Sequence, residues 1–275
     1  MAHASLCTDH PGWTETESGR WHRLLSNERG ATWVTSWTGQ ALDFMPLAGD
    51  GRLPELTYTH CRRLLPPAAP RQLTNALSIL GTIVRVSNPS LWDALCVAIL
   101  QQRQVRPDNG HGLYRRWCTL YGPASEGPHG PLRLPPTPQT LLELPNSAFE
   151  KAKAAFYRPS LRSAAAAYQA HGHAWRQLTG TELVTALRGI NRVGPSTAAA
   201  AAADYLGDFT LYPHHDLTLR TFAHRAAPDA GIPIEEEPFT RQWTAWATTP
   251  GQLRTLTLAT LAVGNHVPAS TTLAT

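Results

Sequence analysis

The sequence predicts a mainly α-helical chain with a small β-rich region at its N-terminus, and three observations carry that prediction. From Arg71 onward apolar residues recur at helical spacing, beginning with Leu73, Ala76, Leu77 and Leu80. Before residue 69 the texture differs, with aromatic and β-branched residues concentrated in Trp21–Leu25 and Ala31–Trp37. Between Leu187 and Arg220 a tight turn joins two helices, followed by an alanine run and a loop leading to one carboxylate, Asp216. The expected division is residues 1–68 for the β-rich region and 69–275 for an all-α domain.

Composition sets the bounds. A chain of 275 residues can bury a large core. Its charged fraction of 16% is low, and 23 prolines with 20 glycines imply frequent breaks between short helices. The formal charge of +4 is nearly all arginine, Lys151 and Lys153 being the only lysines, and it suits a nucleic-acid partner without requiring one. Cys7, Cys61, Cys96 and Cys118 form no CxxC pair and read as buried thiols of a reducing compartment. With no basic-then-apolar leader and no apolar run near ~18 residues, the expected location is the cytoplasm, nucleoid-associated in a bacterium, with no membrane partner. The histidines form neither HExxH nor a zinc spacing, so no metal ligands and no metal-assisted hydrolysis are expected.

Taken in order, Trp21–Leu25 and Ala31–Trp37 flank the turn Asn27-Glu-Arg-Gly30 and predict a small antiparallel sheet. Leu64–Pro70 is a proline-rich linker. Ser90 is an expected N-cap with Asp93 three residues on, in capping-box position, and Leu91, Leu95, Ala98 and Ile99 form the stripe that follows. That helix runs into Leu100-Gln-Gln-Arg-Gln-Val105. Tyr121–Pro138 shows no periodicity and reads as a loop. Short helices are expected at Leu141–Leu144 and Phe149–Tyr157, and Pro159 opens another that turns Leu161 inward and Arg158 and Arg162 outward. The segments around Trp243, Trp246 and Leu253–Leu261 supply closing helices.

The hairpin concentrates the chemistry. A helix over Glu182–Leu187 is expected to end at Gly189 in a positive-φ conformation. A second helix opens at Gly194-Pro195-Ser196-Thr197, with proline in the first turn, where its missing N–H costs nothing. Backbone N–H groups of the turn, backed by the second helix's dipole, make an anion site for a phosphate. Its residues are Gly189, Asn191, Arg192, Val193, Gly194, Ser196 and Thr197. The alanines at 198–203 allow close packing of that helix.

Hairpin, small-residue helix, Gly/Pro-containing loop and Asp216 in this order resemble the helix-hairpin-helix DNA glycosylase superfamily. Asn88–Gly122 and the β-rich start are similar to its AlkA-like, 3-methyladenine branch. The resemblance implies a monomeric enzyme whose partner is a damaged DNA duplex and whose Asp216 assists cleavage of an N-glycosidic bond. It places Gln102 or Arg103 at the wedge that fills the space of an expelled base. Two departures stand out. Arg192 replaces the first glycine of the family's turn and either reshapes that turn or meets a phosphate itself. Ser196 and Ala200 stand where the branch carries pocket aromatics, so a base platform would have to come from elsewhere, such as Trp13, Trp33, Trp37 or Tyr212.

The implied chemistry is electrostatic. Departure of a base builds positive charge on the deoxyribose, and a fixed carboxylate is worth most in that transition state. His214 and His215 precede Asp216 as accessory donors or modulators of its ionisation. Asp216 could instead serve only as a helix N-cap. Ser196 occupies the position of the family's lyase lysine, which implies a monofunctional enzyme. No cysteine follows Cys118, which excludes an iron–sulfur cluster, and no cofactor is expected beyond a monovalent cation at the hairpin. Competing readings are a non-catalytic duplex-DNA binder and a hydrolase of a small nucleoside-like metabolite.

Overall fold

The computed structural model describes residues 4–102 and 107–266. Its strands are β1 Ala4–Leu6, β2 Thr14–Glu15, β3 Trp21–Ser26, β4 Thr32–Trp37, β5 Leu42–Ala48, β6 Leu56–His60, β7 Thr82–Val86, β8 Ala124–Gly127 and β9 Gly130–Arg133. The first helices are α1 Cys61–Leu64, α2 Arg71–Ser78, α3 Leu91–Leu100, α4 Pro107–Tyr121, α5 Pro138–Glu143 and α6 Asn146–Lys151. They are followed by α7 Arg158–Trp175, α8 Gly180–Arg188, α9 Pro195–Leu206, α10 Leu217–Ala226, α11 Glu236–Trp246 and α12 Pro250–His266. Helix dominates, as the periodicity predicts. Among the described residues, no helix is long and apolar enough to cross a membrane.

Packing groups the chain into two units, each assembled from separated stretches. One takes the described residues of Met1–Asp9, Leu56–Arg85 and His214–Thr275; the other takes His10–Glu55 and Val86–Pro213.

In the first unit, β1 pairs in parallel with β7, and β6 flanks β7 on its other side. Arg85 is buried in this sheet and its Nε meets Asp9 Oδ2 at 3.1 Å. Helices α2, α10 and α12 pack together. Their approach is close at Gly264, where a Cβ would lie 1.9 Å from the Phe222 ring, so only glycine fits. Trp243 is fully buried and donates its Nε1–H to Thr257 Oγ1 at 3.2 Å, which satisfies the indole's polar end inside the core.

In the second unit, β2-β3-β4-β5 form an antiparallel meander. The register pairs Trp21 with Trp37 and Leu24 with Val34, across the turn predicted at Asn27–Gly30. Asn27 Oδ1 accepts the Arg29 and Ala31 N–H groups, and Gly30 takes φ 84°. The helical core centres on α3, all ten of whose residues are buried. Against it packs α9, presenting Ala198, Ala201 and Ala202 fully buried at i, i+3, i+4 spacing. Larger side chains there would hold the helices apart. Ser90 caps α3 by accepting from Asp93 N at 3.2 Å.

Several expectations need revision. The aperiodic stretch Tyr121–Pro138 holds the β8–β9 hairpin, closed at Gly130 with φ 111°. The helix expected over Phe149–Tyr157 breaks after Lys151, because Lys153 takes φ 58°, and resumes as a 3₁₀ turn at Ala155–Tyr157. Gly189 has φ −67°, a right-handed conformation, and the positive φ appears instead at Arg192, 66°. Arg162 is half-buried rather than fully outward: its guanidinium donates to Leu144 O at 2.7 Å and lies 5.3 Å from the Phe149 ring.

Candidate functional site

The hairpin lies in the second unit. Helix α8 tightens at its end through Gly189 N→Ala186 O and Ile190 N→Leu187 O, both 3.1 Å. Ile190 and Val193 are buried and anchor the turn in the core, while Asn191, Arg192 and Gly194 face solvent. Val193 N bonds back to Ile190 O at 3.1 Å, and the chain fits this tight turn by placing Arg192 left-handed. The turn therefore keeps a glycine-like backbone with an arginine on it, at a conformational cost of about 1 kcal/mol. Ser160 Oγ, from α7, donates to Arg192 O at 3.4 Å. Gly194 is the N-cap of α9 and Pro195 its first residue. The first intrahelical bond, Ala198 N→Gly194 O, puts the Ser196 and Thr197 N–H groups ahead of it, at the positive end of the helix dipole.

Gln102 meets this hairpin. Its Nε2 donates to Thr197 Oγ1, and its backbone carbonyl accepts Tyr157 OH at 2.8 Å. The other wedge candidate, Arg103, lies outside the described residues. Of the aromatic platforms considered, Trp13, Trp33 and Trp37 are buried in the core and present no open face. Tyr212 stacks on Phe209, centroids 6.1 Å apart at 20°, in a loop ordered by Asp208, whose Oδ1 accepts Thr210 N and Oγ1. Ahead of that loop Gly207 closes α9 with φ 67°.

Asp216 belongs to the first unit and is the N-cap of α10. Both cap bonds fall on Oδ1, from Thr218 N at 2.9 Å and Leu219 N at 3.2 Å. Arg220 is directed toward the backbone around it: its Nε donates to His215 O at 3.1 Å and NH1 to Ile234 O at 2.7 Å. The guanidinium thus fixes the backbone just before Asp216. His214 is half-buried, and its Nε2 is a buried atom with no hydrogen-bond partner. Burial first, then the neighbouring His215, pushes its pKa down to about 4, so the imidazole is neutral at pH 7.

One cluster was not anticipated. Asp93, expected to close a capping box, is buried instead among His10 Nε2 (3.2 Å), Arg23 NH2 (3.3 Å), Asn88 Nδ2 (3.3 Å) and Tyr114 OH (2.6 Å). Asn88 also donates to Asp204 of α9 at 2.8 Å. His10 Nδ1 accepts Gly12 N at 3.0 Å, which places the ring proton on Nε2, facing Asp93. Burial alone would raise the Asp93 carboxyl; His10, then Arg23 and Tyr114, hold it well below the usual carboxylate range. The signal was present in the sequence, since an aspartate inside Leu91-Trp-Asp-Ala-Leu-Cys-Val97 demands buried partners.

The fold is one that solved DNA glycosylases share. Among solved structures, MBOgg1 in complex with a low-affinity DNA ligand superposes with a TM-score of 0.69 at 15% identity, covering 96% of this chain and 93% of that one. An 8-oxoguanine glycosylase/lyase of Clostridium acetobutylicum, bound to duplex DNA, gives 0.68 at 13%, covering 95% and 90%. The 3-methyladenine DNA-glycosylase of Archaeoglobus fulgidus gives 0.66 at 15%, covering 92% and 89%. No family model matches the sequence, and no curated protein matches it.

Proposed function

We propose that this protein is a DNA N-glycosylase that releases a damaged base from duplex DNA by Asp216-assisted hydrolysis. The observation that carries the reading is the family's succession on the family's fold: a glycine-like hairpin turn at Arg192, the dipole of α9, and Asp216 at the head of α10. Structures of the same fold hold DNA. In this reading the hairpin grips a backbone phosphate through the first-turn N–H groups of α9 and Arg192, with a monovalent cation as accessory. Asp216 Oδ1 is fixed by its two cap bonds, so the carboxylate needs no reorganisation as charge develops on the deoxyribose. His214, neutral at pH 7, adds no competing positive charge beside it.

An alkylated or otherwise adducted base is the proposed substrate. Solved structures of similar fold include both 8-oxoguanine and 3-methyladenine enzymes, and Ser196 and Ala200 favour a cationic base that leaves with little help. Ser196 in place of a lysine supports a monofunctional reaction that leaves an abasic site.

The test is to incubate the protein with alkylated genomic DNA and identify released bases by mass spectrometry, with Asp216→Asn as control. Release by wild type and loss in the variant support the assignment; no release from any damaged duplex overturns it. Borohydride trapping on abasic DNA is expected to give no adduct. The use of Asp216 as a helix cap favours one second reading, a duplex binder without catalysis. In that case DNA binding persists and no base appears.

A further inference from the structure

Apart from the hairpin, the second unit contains a groove of about 600 Å³ between the β2–β3 ribbon and the β8–β9 hairpin. Glu15 and Glu17 of the β2 segment line it together with Pro131 and Leu132 of β9, and the imidazoles of His22 and His129, centroids 4.8 Å apart, line it as well. Neither lysine nor arginine lines it, so its wall is acidic in a chain of net positive charge. That wall would repel a phosphate backbone.

His22 supplies the second observation. It is only 5% exposed and sits opposite Ser36, whose Oγ lies 2.7 Å from Nδ1. Its other nitrogen, Nε2, is buried with no partner in the protein. A buried nitrogen on a groove wall without a hydrogen bond is costly unless a ligand completes it. Burial, then His129 and Arg20, lowers the pKa of His22, so the ring is neutral at pH 7. In the tautomer that donates Nδ1–H to Ser36 Oγ, Nε2 is left as an acceptor, and it is this tautomer that an ammonium ligand would select.

The polar lining therefore offers acceptors in the form of one imidazole nitrogen and two carboxylates, beside an apolar wall. We propose that this groove binds a small aliphatic ammonium ion: N–H groups donate to His22 Nε2 and to Glu15 and Glu17, and methylenes lie against Pro131 and Leu132. The volume is within the range of small-molecule sites. The site is independent of the DNA reading and acts on no covalent bond.

Titration of the full-length protein with spermidine, followed through the imidazole Cε1–H NMR signals of His22 and His129, tests it. Saturable shifts of both signals are expected. The exposed pair Glu15→Gln/Glu17→Gln is expected to weaken binding about tenfold while leaving the melting temperature unchanged. Absence of shifts at millimolar spermidine overturns the proposal. So do shifts that persist unweakened in the double variant. Broadening by Ni²⁺ with spermidine silent would reassign the groove to a metal, and displacement by duplex DNA would reassign it to nucleic acid; either overturns it as well.

Discussion

Gln102 donates its side-chain amide to Thr197 Oγ1, which ties the end of α3 to the first turn of the hairpin's second helix. Tyr157 holds the same residue from the other side, through its carbonyl. Gln102 is thus a strut between the segment that follows α3 and the hairpin turn. Removing one partner costs about 1 kcal/mol. Thr197→Val and Gln102→Ala should each lower stability by about that amount. The double variant should lose less than their sum, because both delete one bond. Urea unfolding of the four proteins measures the coupling, and full additivity would contradict the strut.

Arg192 occupies a backbone conformation that suits glycine. Arg192→Gly relieves the left-handed strain but loosens the unfolded chain, so a gain of at most about 1 kcal/mol is expected. Duplex affinity should fall at the same time, and the slope of log affinity against log salt should shrink by about one. Stability and binding moving in opposite directions is the signature. A variant that loses both would mean that the side chain supports the turn rather than the DNA.

Asp93 carries a further prediction about stability. Asp93→Asn leaves Arg23 buried without its counter-charge, and breaking such a cluster costs about 3 kcal/mol or more. The pH dependence has a definite sign. Because the folded carboxyl titrates below its unfolded value of about 3.9, its contribution is complete above about pH 4 and is lost progressively as pH falls from there. Acid unfolding of wild type against the variant should show that limb flattened.

How far the sequence could be read depends on how local the cause was. Ser90 as a cap, the Asn27–Gly30 turn and the buried stripe of α3 follow from neighbours within four residues, and all appear. The left-handed residue of the hairpin was misplaced by three positions, because Gly189 carries the local signal while the tight turn imposes it on Arg192. Strand β7, Thr82-Ile-Val-Arg-Val86, has a β-branched pattern, but its partners β1 and β6 lie far along the chain. The β8–β9 hairpin is proline-rich and short, and periodicity cannot register it. For the candidate site, Asp216 as the head of a helix was legible from sequence; the turn of Arg220 toward the backbone around it and the seating of Gln102 on Thr197 are tertiary facts.

His214 should leave a mark on stability at mildly acid pH. Its folded pKa of about 4 lies below the unfolded value of about 6.5, so the unfolded chain takes up the proton first. Stability should fall as pH drops from about 6.5 to about 4. His214→Phe, which cannot titrate, should flatten that limb, as read from melting temperature against pH. An unchanged slope would mean that another group supplies it.

Asp216 has two separable duties, a structural one in the cap and the proposed catalytic one. Asparagine and aspartate are equally good N-caps, because either side-chain oxygen accepts the N–H groups of the first turn. Asp216→Asn should therefore keep the bonds to Thr218 and Leu219 and unfold within about 0.5 kcal/mol of wild type. Asp216→Ala loses the cap and should cost about 1 kcal/mol. If the carboxylate acts only as a cap, base release should track stability and survive in the asparagine variant. If its charge faces the deoxyribose, both variants should lose release alike, by about a hundredfold or more in the single-turnover rate, while duplex affinity stays near wild type. The asparagine variant is the decisive one, since it changes the charge and leaves the helix intact.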